Sequence, residues 1–148
     1  MGQRAAFLAS KGFAVFPIFT IDGGRCSCGF AGCSSPGKHP IGELAPQGVL
    51  NATTDSQWIK EWLSLYPDAN IGIATGDASH IVVIDIDPDK GGEDAWVALE
   101  DRHDEIPPTW TALTGGGGFH FYFRMPAMDV RNSAGAVGPG IDVRGNGG

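Results

Sequence analysis

Asp85 and Asp87 stand at i and i+2 in "IVVIDIDPDK", residues 81–90, where a β-branched run otherwise reads as a buried strand. Alternate residues of a strand share a face, so the two carboxylates point together while Ile84 and Ile86 point into the opposite layer. Carboxylates at about 6.5–7 Å Cα spacing can lean toward each other. Such a pair can hold two divalent ions about 3.5–4 Å apart, one on each side of a transferring phosphate. Without a metal the two charges repel, and one member titrates high. The bare pattern fits equally well two acids that end a strand in a solvated turn. It does not fit an EF-hand: Lys90 replaces the glycine of the sixth loop position and Trp96 the glutamate of the twelfth.

Two later stretches add to this chemistry. In "TGGGGFHFYFRM" Phe119, Phe121 and Phe123 mark one apolar strand face, and His120, Tyr122 and Arg124 share the other. A strand histidine is commonly a hydrogen-bonded structural residue. Here it follows Gly115, Gly116, Gly117 and Gly118, whose bare backbone lets a phosphate or sugar approach closely. The run is not a Walker A loop, because no Gly-Lys-Ser/Thr follows. In "GPGIDVRGNGG" Asp142 and Arg144 again share a face, bounded by turns.

A separate unit is "CSCGFAGCSSPGKH", a C-x-C-x4-C-x5-H spacing. Three cysteines cannot pair off among themselves, and an intracellular chain keeps thiols reduced. Cys26, Cys28, Cys33 and His39 therefore supply a closed structural zinc set, with spare or reactive thiols in a loop as the alternative.

The elements that position these residues are legible in outline. Residues 3–11 read as a helix ended by Gly12, 13–18 as a strand, and 20–50 as a long Gly-, Pro- and Cys-rich loop. Thr54 with Gln57 resembles a capping box that opens a helix to about Leu65, with Trp58, Trp62 and Leu65 as its apolar stripe. Strands at 70–74 and 81–87, a helix at 93–103 and strands at 109–114, 119–125 and 141–144 complete the chain. Helices and strands mix without strict βαβ alternation, which predicts an α+β fold. The closing Gly147-Gly148 is a turn signal with nothing after it, which suits either a short protein or, the favoured expectation, a fragment that lacks its next strand.

A length of 148 residues suffices for one domain with a core, and 42% hydrophobic with 18% charged residues describes a soluble globular chain. No apolar run reaches membrane-spanning length. The N-terminus, broken by Lys11 and Gly12, is neither a signal peptide nor, with Ala6, a myristoylation site, which points to the cytoplasm. The net charge of −7 argues at first against nucleic acid. Residues 1–50, however, carry four Lys/Arg against two Asp/Glu, and residues 51–148 six against fifteen. Nine of those acids fall between Asp85 and Glu105, where a solvated helix face and a cation site both find a place.

In order along the chain, "GFAVFPI", "CSCGFAGCSSPGKHP", "NATTDSQWIKEWLSLYPDANIGIATG", "VVIDIDPDKGGEDAW", "TALTGGGGFHFYF" and "RNSAGAVGPGIDVRGNGG" resemble the N-terminal domain of bifunctional DNA primase/polymerases. These prim-pol proteins belong to the archaeo-eukaryotic primase superfamily and occur in plasmids, phages and mobile elements. The resemblance implies one catalytic domain over 1–148, shortened at its C-terminus, with a zinc-binding loop at about 22–40. It implies a palm similar to an RNA-recognition motif, packed on a second α/β unit. It places a two-ion Mg²⁺ or Mn²⁺ site on Asp85, Asp87 and Asp142, with His120 on the phosphates of the incoming nucleotide. Gly116, Gly117, Gly118 and Arg144 join His120 as nucleotide-binding residues. The implied partners are a single-stranded DNA template and primer, a dNTP or NTP, and a helicase domain or protein, with no membrane. The reaction implied is template-directed nucleotidyl transfer in DNA replication. The same residues also suit a non-catalytic zinc-containing nucleic-acid-binding module or a two-metal nuclease.

Overall fold

The computed structural model describes residues 2–148, which fold as two compact units meeting at Ala74 and Thr75 in the sequence. Helices and antiparallel sheets are mixed in both, as the α+β reading expects. No helix among the described residues is long and apolar enough to cross a membrane.

In the first unit, α1 (Gly2–Ser10) and α2 (Ser56–Leu65) pack with an antiparallel pair formed by β1 (Val15–Ile18) and β4 (Asn70–Ile73). Ala5, Ala9, Val15, Ile59 and Trp62 form the core, joined by Leu8, Leu44, Leu63, Ile71 and Ile73. Two expectations are corrected here. Asp55, not Thr54, caps α2: its carboxylate accepts from the Gln57 amide at 2.7 Å. Thr53 in turn accepts from the Asp55 amide, a local turn that carries the cap one residue further on. The buried side of α2 is Ile59 and Trp62, whereas Trp58 and Leu65 are exposed. Starting the helix at Ser56 fixes which residues face inward, and Ile59 lies nearer the centre of that stripe than Trp58.

The long loop is not featureless. β2 (Ile21–Asp22) and β3 (Arg25–Cys26) make a minimal hairpin across Gly23-Gly24, both at positive φ, as a type I′ turn requires. Two-residue strands bury too little to leave an alternation, so the sequence hides them.

The second unit is a five-stranded antiparallel sheet in the order β6-β7-β5-β9-β8. Its strands are β5 (Ile81–Ile86), β6 (Trp110–Leu113), β7 (Phe119–Arg124), β8 (Ser133–Gly138) and β9 (Ile141–Arg144). Helix α3 (Gly92–His103) lies on the phenylalanine side, where Trp96 stacks on Phe121 at 5.1 Å between centroids. Ile86 and Ile141 are fully buried on that same side. Glu93 and Asp94 in the first turn of α3 and Arg102 and His103 in the last suit the helix dipole, and account for part of the acidic cluster. The sequence reading missed β8. Its "SAGAVG" has a single larger apolar residue, the exposed Val137, so nothing alternates, and a bulge between Ala134 and Gly138 breaks its pairing.

Candidate active site

Strand β5 is central, and its register aligns the chemistry. Asp85 lies directly opposite His120 of β7 on one side and Asp142 of β9 on the other. Directly opposed residues share a face, so the three side chains form one row on the side of the sheet away from Trp96. The next row on that face runs Trp110, Tyr122, Val83 and Arg144.

Each acid holds a definite set of partners. His120 Nε2 lies 3.3 Å from Asp85 Oδ1. One guanidinium nitrogen of Arg144 donates to Asp85 Oδ2 at 3.0 Å and to Asp142 Oδ2 at 2.9 Å. The remaining oxygen of Asp142 accepts the Gly135 amide at 3.0 Å, a donor supplied by the β8 bulge. Asp87 sits just past the strand, where it caps a 3-10 turn over Pro88–Lys90. It accepts from the Asp89 amide and pairs with Lys90 at 2.8 Å. The hydrogen bond and charge of Asp87 raise the Lys90 ammonium above its usual range against burial, with smaller help from Asp142 and Asp85. The mutual repulsion expected of these acids is thus offset by side chains of the protein itself. Lys90 gave no sign in the sequence beyond its place after the D-x-D.

Glycines set the geometry of the row. Pro139-Gly140 joins β8 to β9 in a two-residue turn with Gly140 at φ +64°. The Gly140 carbonyl accepts the Asp87 amide at 2.8 Å, and the Asp87 carbonyl accepts the Gly92 amide at 3.0 Å. A Cβ on Gly92 or Gly140 would meet this backbone at 2.6 Å. In the β6–β7 loop, Gly118 donates to Thr114 Oγ1 at 3.0 Å, and a Cβ there would run into the Ile86 carbonyl oxygen. Gly118 is therefore packed against the end of β5. Gly115 and Gly117 border open space, and Gly116 has one distant neighbour, Thr114 Oγ1 at 4.0 Å.

Two aromatic residues extend the polar face beyond the expected set. Trp110 is 60% exposed on the edge strand, opposite Tyr122 in register. Burial, and then the Asp85 charge, raise the Tyr122 phenol above its usual range. Exposed aromatics on a strand carry a sequence signal only once the facing of that strand is known.

Carboxylate oxygens are hard donors suited to Mg²⁺ or Mn²⁺. Asp85 Oδ2 and Asp142 Oδ2 already meet on one cationic nitrogen, so this pair fits a divalent ion, and Asp87 follows at the strand end.

The cysteine unit lies within the first unit of the fold. The ligand atoms of Cys26, Cys28, Cys33 and His39 all fall within 4.8 Å of one another and could hold a zinc ion. His39 Nε2 is 3.4 Å from both Cys26 and Cys33 sulfurs. The His39 carbonyl accepts the Phe19 amide, which ties the ligand to the end of β1. Burial opposes ionisation of the Cys26 thiol. Hydrogen bonds from Gly37, Cys28 and His39 outweigh it and lower the thiol to about 6. For Cys33, the Ser35 amide favours the thiolate, but burial and the neighbouring Cys26 and Cys28 leave it raised.

Residues 5–148 match the family model described as bifunctional DNA primase/polymerase, N-terminal. No curated protein matches the chain.

Proposed function

The chain belongs to the bifunctional DNA primase/polymerase N-terminal family, and on that premise we propose that it carries out template-directed nucleotidyl transfer with Asp85, Asp142 and Asp87 as its metal-binding acids. The observation that carries this reading is the His120–Asp85–Asp142 row, directly opposed across three adjacent strands. Two divalent ions bound there would activate a primer 3′-hydroxyl and offset charge on the departing pyrophosphate. The residues of the chain supply the rest. His120 and Arg144 present donors to the triphosphate, and the open Gly116-Gly117 backbone lets its phosphates come close. Asp87, fixed through its amide and carbonyl, holds the mouth of the site. The cysteine–histidine group holds one structural zinc ion, and DNA template, primer and nucleotide are the partners.

The test is incubation with Mn²⁺, a primed template and labelled dNTPs. Extension of the primer is expected, and Asp142→Asn lowers it by about a hundredfold or more while leaving the zinc content unchanged. Shortening of the primer would assign a nuclease instead, and no change in its length would assign a binding module.

Tyr122 and Trp110 stand in the row next to the acids on the same sheet face. Trp110→Ala should weaken single-stranded DNA or nucleotide binding by about 1–3 kcal/mol. Fluorescence titration of the variant against the parent measures it, and equal affinities would remove Trp110 from the site.

A further inference from the structure

Arg144 lies between the two carboxylates of the proposed metal site. Its one nitrogen bridges the two carboxylate oxygens, Asp85 Oδ2 and Asp142 Oδ2, that no other described hydrogen bond uses. The opposite oxygens are held elsewhere, Asp85 Oδ1 by His120 and Asp142 Oδ1 by the Gly135 amide. The carboxylates are therefore already oriented, and an ion can enter without turning either of them. It cannot enter while the guanidinium stays. A metal sits closer to a carboxylate oxygen than a hydrogen-bonded nitrogen does, and two cations on the same oxygens repel.

The exposures indicate which partner moves. The Arg144 side chain is 43% exposed, whereas those of Asp85 and Asp142 are 23% and 21% exposed. All three are strand residues, but the arginine is the more exposed and carries its charge on the longer, flexible stem.

We propose that Arg144 is an exchangeable internal cation: it neutralises Asp85 and Asp142 in the metal-free protein, and a divalent ion displaces it. This rests on the proposed metal site and adds its order of events. The displaced guanidinium stays on the same face, two residues from Asp142, and is free to take up a triphosphate only after metal has entered. Arg144 thus weakens binding of the metal alone and strengthens binding of the nucleotide, two effects of opposite sign from one side chain. A residue that only contacts phosphate would leave the metal-alone affinity unchanged, and a residue that only supports the fold would weaken both.

The experiment is a Mn²⁺ titration of the zinc-loaded full chain without nucleotide, with free Mn²⁺ read by electron paramagnetic resonance. Arg144→Gln should bind Mn²⁺ at least about tenfold more tightly than the parent. Arg124→Gln removes an equal charge from the same face without touching the acids, and should change affinity much less. Asp142→Asn should weaken Mn²⁺ binding. Equal or weaker binding by Arg144→Gln, with Asp142→Asn still weakened, overturns the exchange alone. Unchanged binding by Asp142→Asn overturns the metal site and the exchange with it.

A measurement on the unaltered chain guards against misfolding of the variant. In guanidinium-selective NMR, one arginine absent from the Arg144→Lys spectrum should show hindered rotation that Mg²⁺ releases. A signal that ignores Mg²⁺ at concentrations where the protein binds it would also overturn the proposal.

Discussion

Stripping the metal from the cysteine–histidine group should lower the melting temperature by more than about 10 °C, because structural zinc contributes on the order of 10 kcal/mol where it is bound. The segment involved has little else to hold it. The hairpin of β2 and β3 is two residues per strand, and the apolar core of that unit is built from α1, α2, β1 and neighbouring residues instead. The loss should therefore fall on residues 20–41, with the helices surviving. Metal analysis of the purified chain should give one zinc, and Cys28→Ser should reproduce the effect of a chelator. Well under one zinc per chain, with no shift on Cys28→Ser, would return the thiols to the status of loop residues.

Alanine at Gly118 should cost about 3 kcal/mol or more, since its Cβ would press on a main-chain oxygen that has nowhere to go. That oxygen belongs to Ile86, between the two aspartates, and Pro88 Cδ would lie 2.8 Å from the same added Cβ. The strand end bearing Asp85 and Asp87 must shift to make room, so nucleotide binding should fall along with stability. Gly116→Ala provides the contrast. It meets only Thr114 Oγ1 at 4.0 Å and should change stability by less than about 0.5 kcal/mol. Thermal melts of both variants decide the matter, and coincident curves would show that β5 and the glycine loop are not packed as described.

This contrast marks where sequence reasoning succeeds and where it stops. The four glycines were legible as a place for close approach, but which partner approaches was not. For Gly118 it is the protein's own β5, whereas Gly117 borders open space and Gly116 has only Thr114 Oγ1 nearby. The facing of Asp85, His120, Asp142 and Arg144 followed from alternation alone, because strand parity is a local property. Their convergence did not follow from alternation, because it depends on β5 lying between β7 and β9, a pairing of segments far apart in the chain. One cation contact was hidden for the same reason: Arg144 reaches Asp85 across a strand pair, whereas its contact with Asp142 lies within β9. The cysteine–histidine cluster was legible, since all four side chains lie within 14 consecutive residues. β8 was lost because small residues carry no hydrophobic period, yet its bulge supplies the amide that orients Asp142.

The Pro139-Gly140 turn has a bearing on how the gene can change. β9 is only four residues long, and its inward Ile141 and Val143 alternate with its outward Asp142 and Arg144. Adding or deleting one codon just after the turn would invert that parity. Both charged residues would be driven into the layer beneath α3, and two aliphatic ones would be left beside Asp85. A two-codon change would keep the facing but slide Asp142 one pair along, away from His120. Point substitutions at the site can be graded in effect, whereas changes of length in β9 are all or none. Among functional descendants of this gene, length variation should collect in the turns beyond β6 and before β8, and β9 should keep its residue count.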